Sequence, residues 1–253
     1  MPIYKRFASI YQRGPYVRFS QELAETVLPE YLDHIDFQPA DILDIACGEG
    51  SFSVEMAAKR YRVTGIDQSE EMIALARERA RTAGVRVKFS VADMRQLRFT
   101  EEFDLVTCFF DSLNYLLTIK DLREAFGSAF AALKPEGYYI FDMNTIYGLA
   151  VNWMREKTYV HNEADDFIEY HQHAFDYENL VATMEITIFK RRIGGLWERI
   201  QETHRERGYQ IADLEFLLRE TGFEIIGIYG SLCSRTEVHT NSPRVFFVCK
   251  KPM

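Results

Sequence analysis

Four stretches of this chain place chemically capable side chains at the ends of apolar runs. The first is Asp44-Ile45-Ala46-Cys47-Gly48-Glu49-Gly50. Its small residues let a backbone turn sharply and approach a ligand closely, and the two glycines supply the freedom for that turn. The third glycine of a pyrophosphate-binding fingerprint would fall at Ser53, so a dinucleotide cradle is incomplete. An acid before such a turn suits a ligand with an amine and no phosphate; without a ligand it is a tight strand-to-helix connection. The second stretch ends at Asp67, 17 residues after Gly50. A carboxylate there can accept both hydroxyls of a ribose, and the plainer alternative is a helix cap beside Ser69. The third, Ala92-Asp93-Met94, sets a carboxylate beside backbone amides, as reading an adenine edge requires, or is a surface turn. The fourth, Cys108-Phe109-Phe110-Asp111-Ser112-Leu113-Asn114-Tyr115, turns abruptly from apolar to polar.

The histidines are the other candidates. His171 and His173 share one face of a predicted strand, and His204 lies on another. Each is a candidate base, because imidazole titrates near neutrality; the plainer expectation is a solvated ribbon face. Arg205 and Arg207 suit an anionic acceptor, but beside Glu202 and Glu206 a charged strand face is the default. Asp111, Asn114 and Tyr115 are the better candidates for an acceptor pocket, since a strand end is fixed by its sheet.

The elements that must position these residues alternate from Asp41 to Asn144. ADILDIA and YRVTGID read as strands, with Val54, Ala57, Ala58 and Tyr61 between them at the spacing of one helix face. Ser69 caps a helix that carries Met72, Ala76, Ala80 and Ala83 and stops at Gly84. VRVKFSVAD alternates, with Val85, Val87, Phe89 and Val91 on one side, and FDLVTCFF is apolar throughout, as for a strand buried on both faces. Leu122, Ala125, Phe126, Ala129, Phe130 and Leu133 form a helical stripe ended by the breaker Lys134-Pro135-Glu136-Gly137, and GYYIFDMN is a fifth strand. This alternation predicts an α/β fold, a doubly wound parallel sheet with helices on both faces. From Trp153 to Tyr209 the pattern becomes an antiparallel ribbon with turns at Glu178-Asn179 and Gly194-Gly195. A helix (IADLEFLLRETGF) and two strands (EIIGIYGSL, PRVFFVCKK) close the chain, the strands expected to pair antiparallel at a sheet edge. The expected units are a helical cover over 1–39, the sheet domain over 40–150 and 210–253, and a small antiparallel β insert over 151–209 that covers the acceptor site.

Composition narrows the function. The chain has 253 residues, 47% apolar and 27% charged, with a formal net charge of −8. That balance disfavours a nucleic-acid groove, which needs a basic face. No apolar run approaches the roughly 18–20 residues of a membrane span, and the opening residues lack a secretory core, so a cytoplasmic protein is expected. Cys47, Cys108, Cys233 and Cys249 lie far apart without metal-ligand spacing. Reduced, buried thiols and no metal site are therefore expected.

ILDIACGEGSF, VTGIDQSEEMI, VADMRQL and FDLVTCFFDSLNYL, in this order, resemble the class I S-adenosylmethionine-dependent methyltransferases. The resemblance covers about Ala40 to Asn144, and GFEIIGIYG with RVFFVCKK fits that family's closing hairpin. It implies a Rossmann-like, mostly parallel seven-stranded sheet whose last strand is antiparallel. It also implies S-adenosylmethionine as cofactor and S-adenosylhomocysteine as product. Carried over by position, Asp44 orients the cofactor's amino group, and Ala46, Cys47, Gly48 and Gly50 form the turn under its methionine part. Asp67 takes the ribose, with Gln68 and Met72 flanking the adenine. Asp93, next to Ala92, accepts from the adenine amine, with Met94 stacked nearby, and Cys108 and Phe109 lie near the transferred methyl. Tyr4-Lys5-Arg6-Phe7-Ala8-Ser9-Ile10-Tyr11 resembles the N-terminal tyrosine segment of a small-molecule subgroup that includes sugar N-methyltransferases. There Tyr11, with Tyr4 beside it, closes over the cofactor; Gln12 stands where that subgroup carries aspartate.

The implied reaction is an in-line displacement of methyl onto a nitrogen or oxygen of a small-molecule acceptor, served by positioning and desolvation. Aromatic faces at Phe109, Phe110, Tyr115 and Trp153 suit a cationic sulfonium. Asp111, Asn114 and Tyr115 line the acceptor side, with His204 as a candidate base. The expected protein is a monomer or homodimer without nucleic-acid or membrane partners. Two other readings stand beside it: a nicotinamide-dependent oxidoreductase, disfavoured by Ser53, and a non-catalytic cofactor-binding module, disfavoured by the Asp111–Tyr115 cluster and the ribbon.

Overall fold

The computed structural model describes residues 4, 7–11 and 16–253, with the backbone alone at Ser9 and Tyr16. Gln12, and with it the departure from the subgroup pattern, lies outside the described residues. After α1 (Ala8–Tyr11), a helical stretch runs from α2 (Tyr16–Glu22) through a π-helical turn at Leu23–Val27 into α3 (Leu28–His34). The main alternation follows: β1 (Asp41–Ile45), α4 (Ser51–Ala58), β2 (Arg62–Asp67), α5 (Glu70–Ala83), β3 (Val87–Val91), β4 (Phe103–Cys108), α6 (Ile119–Ala132) and β5 (Leu133–Asn144). Four strands come next, β6 (Thr158–Ala164), β7 (Phe167–Asp176), β8 (Val181–Arg191) and β9 (Trp197–Arg207). The chain closes with α7 (Ile211–Thr221), β10 (Glu224–Tyr229) and β11 (Arg244–Lys250).

Seven strands form the main sheet in the order β10-β11-β5-β4-β1-β2-β3. All are parallel except β11, which runs antiparallel to both β5 and β10. The predicted closing hairpin is present, but its final strand is interior and β10 forms the sheet edge. The chain winds from β1 outward to β3 and then returns to β4 on the other side of β1. That reversal opens a crevice at the carboxyl ends of β1 and β4.

Alternation along the strands fills two cores. Leu43, Val106, Tyr139, Phe141, Val245 and Phe247 face α6 and α7, while Ile42, Leu105, Ile140, Phe246 and Val248 face α3 and α4. The Phe141 and Phe247 rings stack at 5.1 Å between adjacent strands. Ser69 caps α5 as expected, its Oγ accepting from the Met72 amide at 3.2 Å, and Gly84 ends that helix at φ 68°.

Three local expectations differ. Val54, Ala57, Ala58 and Tyr61 are not the buried face of α4; Phe52, Ser53, Val54 and Met56 are buried and Ala58 is exposed. The helix is wedged between the sheet and the α2–α3 stretch, so both its sides bury. The breaker at Lys134–Gly137 does not end before a strand but lies inside β5, as an outward loop where the register against β4 jumps from Leu133 to Tyr138. Glu136 turns there with φ 67°. Cys233 is exposed, whereas Cys47, Cys108 and Cys249 are buried.

β6 to β9 form a separate antiparallel sheet of four strands. Its turns fall at the two predicted sites, and β6 is an added strand. Ile186, Ile188, Ile200 and Phe167 pack against Phe7 and Ile10 of the N-terminal segment. The Glu202 carboxylate accepts from the amides of Tyr4 and Phe7, each at 2.8 Å, and pins that segment to β9. Among the described residues no helix is long and apolar enough to cross a membrane.

Candidate functional site

The crevice at β1 and β4 holds a chamber of about 370 Å³. Asp44, at the end of β1, is 3% exposed. Its carboxylate accepts from Ser53 Oγ at 2.5 Å and Thr107 Oγ1 at 3.2 Å, and no cation pairs with it among the described residues. Burial pushes its pKa up to about 7, against the pull of those two hydroxyls. Ser53, notable in the sequence for not being glycine, is thus the group that holds Asp44. The chain then turns through three left-handed positions, Ala46 (φ 56°), Gly48 (φ 54°) and Gly50 (φ 84°). Asp67 accepts from the Gly48 amide at 3.0 Å and the Ser69 amide at 2.8 Å. Burial also pushes the Asp67 carboxyl up, opposed by these amides.

Ala46, Cys47, Gly48, Gln68, Met72, Ala92, Asp93, Met94 and Phe109, all singled out in the sequence, line the same chamber, and Tyr4 and Tyr11 close its side. Asp93 faces it with its carboxylate already paired to Arg95 at 2.6 Å, which holds its pKa below the usual range. Gly50 and Cys108 do not reach the chamber. A Cβ on Gly50 would meet Ala76 Cβ at 2.8 Å, so this glycine serves the packing of α4 on α5. Cys108 is fully buried in the core under α6.

A second chamber of about 400 Å³ lies on the other side of Tyr4, Tyr11, Phe110 and Tyr115, which line both. Asp111, Trp153 and His204 line it; Asn114 does not. The Asn114 amide is spent on the backbone: Nδ2 donates to the carbonyls of Asn144 at 3.0 Å and Arg207 at 2.8 Å, and Oδ1 accepts from the Asn144 amide at 2.9 Å. It braces β5 against β9, because the turn after β4 points it inward.

Phe110 and Asp111 both take left-handed backbone, φ 61° and 50°. Asp142 holds that strained pair by accepting from their amides at 2.7 and 3.2 Å. Arg244 bridges the carboxylates of Asp111 and Asp142, meeting Asp111 at 2.6 Å.

The histidines overturn the solvated-ribbon expectation. His171 is 2% and His204 1% exposed, and Glu206 is equally buried. Every second residue of β9 faces inward, so Ile200, Glu202, His204 and Glu206 lie under the sheet while Arg205 is exposed. The Tyr115 hydroxyl sits 2.9 Å from His204 Nδ1 and 3.1 Å from the Tyr4 hydroxyl. Glu206 accepts from Asn144 Nδ2 at 2.9 Å, and burial pushes its pKa well above the carboxylate range. His173 Nδ1 donates to the Trp153 carbonyl at 2.7 Å, and burial lowers the pKa values of both His161 and His173. His161, Tyr159, Glu206 and Arg244 all line this chamber and were not singled out in the sequence. Their positions depend on which face of the ribbon is covered, and periodicity alone does not say.

Residues 42–137 match the model of a methyltransferase domain. The chain is 33% identical, over 98% of its length and 97% of the relative's, to the putative methyltransferase YqeM of Bacillus subtilis. The chain belongs to the S-adenosylmethionine-dependent methyltransferases. A crystal structure of such a methyltransferase from Clostridium acetobutylicum superimposes over all of both chains with a TM-score of 0.85 at 26% identity. The sugar N-methyltransferase KedS8 from Streptoalloteichus matches 97% of this chain and 92% of its own, with a TM-score of 0.76; at 18% identity that likeness is one of fold. Membership displaces the nicotinamide reading, and the first chamber fits this methyltransferase's cofactor on its own evidence. A buried carboxylate without a cation among the described residues, at Asp44, suits an ammonium, and the Asp67 carboxylate, which already takes the Gly48 and Ser69 amides, suits hydroxyls and repels phosphate.

Proposed function

We propose that this methyltransferase moves the methyl group of S-adenosylmethionine onto a nitrogen or oxygen of a small molecule held in the second chamber. The observation that carries this reading is the shared wall. Tyr4, Tyr11, Phe110 and Tyr115 border both chambers, so a cofactor in one and an acceptor in the other would lie against the same four side chains. Both volumes fall within the range of small-molecule sites. A folded protein or a tRNA would have to pass the second sheet and the N-terminal segment, which we read as a lid over 151–209 and a cover over 1–39.

The cofactor supplies an electrophilic methyl on a sulfonium. This chain's residues do the rest. Asp44 takes the ammonium, and the Ala46–Gly48 turn, with Cys47, seats the methionine part. Asp67 accepts from the ribose hydroxyls. Gln68, Met72, Ala92 and Met94 flank the adenine, Asp93 offers the carboxylate edge it shares with Arg95, and Phe109 faces the reacting end. Tyr11 and Tyr4 close the chamber.

On the acceptor side, Asp111 and Glu206 orient polar groups. His204 draws the proton from the acceptor through the Tyr115 hydroxyl, so that the nucleophile carries a free lone pair as the bond forms. Incubation with methyl-labelled cofactor and a panel of small amines, hydroxy acids and alcohols tests the reading. Label in a small product together with released S-adenosylhomocysteine is the expected result. Label entering only tRNA or protein would refute the small-molecule acceptor.

A further inference from the structure

Glu169 and His171 stand two residues apart on β7, so both face inward, and they are 0% and 2% exposed. His171 Nε2 lies 2.7 Å from Glu169 Oε1. Opposite them, the pairing of β6 with β7 slips one residue between Val160 and Asn162, which leaves His161 in a bulge. Bulges of this kind re-aim side chains beside functional sites. Here the bulge brings the His161 ring onto that of His171, with centroids 4.1 Å apart and planes within 5°. One donor atom from each of His161, Glu169 and His171 lies within 4.8 Å of the others. The two imidazoles line the second chamber, and Glu169 sits behind them.

We propose that His161, Glu169 and His171 bind one divalent transition-metal ion, of the zinc, cobalt or ferrous type, in the wall of the second chamber. Two imidazole nitrogens and one carboxylate form a donor set for such ions, whereas magnesium and calcium prefer oxygen throughout. Three protein donors would leave coordination positions for further ligands, and both imidazoles border the chamber. Closing both nitrogens onto one ion requires the stacked rings to splay. The bulge sits on β6, the outer strand of its sheet, where only one neighbour restrains that motion. His173, two residues further on the same face, has Nδ1 fixed by the Trp153 carbonyl at 2.7 Å and Nε2 buried without a hydrogen-bond partner. The ion would meet a polar atom of the acceptor, a role that rests on the function proposed above; the site itself does not.

The test uses the full-length, tag-free protein, stripped with chelator and then titrated with cobalt(II) while visible absorption is followed, with zinc as competitor. About one equivalent should bind with the spectrum of a nitrogen-coordinated ion. His161→Ala and His171→Ala should each weaken binding by about tenfold or more, while His239→Ala, on the exposed surface, should not. S-adenosylmethionine binding is measured separately by calorimetry on the metal-free protein and should persist, so failure of the metal site and failure of the methyltransferase reading appear in different experiments. Absence of cobalt absorption in the native protein, or equal affinity in the His161→Ala and His239→Ala variants, would overturn the proposal.

Discussion

The Tyr115 hydroxyl lies 2.9 Å from Nδ1 of His204, joining residues 89 apart in sequence. Tyr115 belongs to the short 3-10 turn after β4, and His204 to the inward face of β9. The contact therefore links the rigid end of the main sheet to the second sheet, and the Tyr4 hydroxyl extends it at 3.1 Å into the wall between the chambers.

Removing that hydroxyl tests its part in the chemistry. Tyr115→Phe keeps the ring and its packing. We expect kcat to fall by about 10²-fold, the low end for a lost proton-transfer group, with cofactor affinity nearly unchanged. Steady-state kinetics beside calorimetry checks the split. An equal loss of cofactor affinity would show that Tyr115 only shapes the wall.

Asp44 should make cofactor binding depend on pH. Its pKa stands at about 7 in the free protein because burial disfavours its charge. A cationic ligand binds the ionised form, so affinity should fall as pH drops through that value, by at most about tenfold per unit. Asp44→Asn should weaken binding by about 1.5–3 kcal/mol, as expected for a lost hydrogen bond to a charged group. The same change should flatten the pH profile between about pH 6 and about pH 8. Calorimetry across that range decides it; a flat profile in the unsubstituted protein would contradict the assignment.

Gly50 carries a packing requirement as well as a conformational one. Its φ of 84° is left-handed, and an added Cβ would meet Ala76 Cβ at 2.8 Å and Phe89 Cζ at 3.1 Å. Gly50→Ala should cost about 1–3 kcal/mol of stability, as overpacking does. Denaturant unfolding measures it. Gly48→Ala meets no atom within 4 Å and should be milder, paying for its φ alone.

Arg244 compensates two buried acids, Asp111 and Asp142, which are 6% and 0% exposed. Arg244→Met should destabilise the fold by about 3–5 kcal/mol, since it leaves buried charge unpaired. Burial already raises the Asp142 pKa, and loss of the guanidinium raises it further. A raised carboxyl pKa favours the folded state at low pH and loses that advantage as pH rises through it. The deficit should therefore shrink on acidification toward about pH 5. Melting curves at several pH values give the answer, and a deficit that grew on acidification would refute the account.

The sequence by itself determined the sheet and the first chamber. Strand runs, helix caps and small-residue turns are local signals, so the ends of β1, β2 and β4 were legible together with Asp44, Gly48 and Asp67. A strand end is also fixed in space by its ladder, which lets position along the chain stand for position in the site. Tertiary structure decided what local pattern leaves open. Asn114 and Gly50 sit in the motifs yet line neither chamber, because the bend after β4 directs the Asn114 side chain onto the backbone and Gly50 packs against Ala76. The inward face of β7 and β9 reads as a charged ribbon until the N-terminal segment covers it, and burial then makes His171, His204 and Glu206 chamber walls. His161 reaches His171 only through a slipped register. Covering and register arise from contacts far apart in the chain, and hydrophobic periodicity carries no record of them.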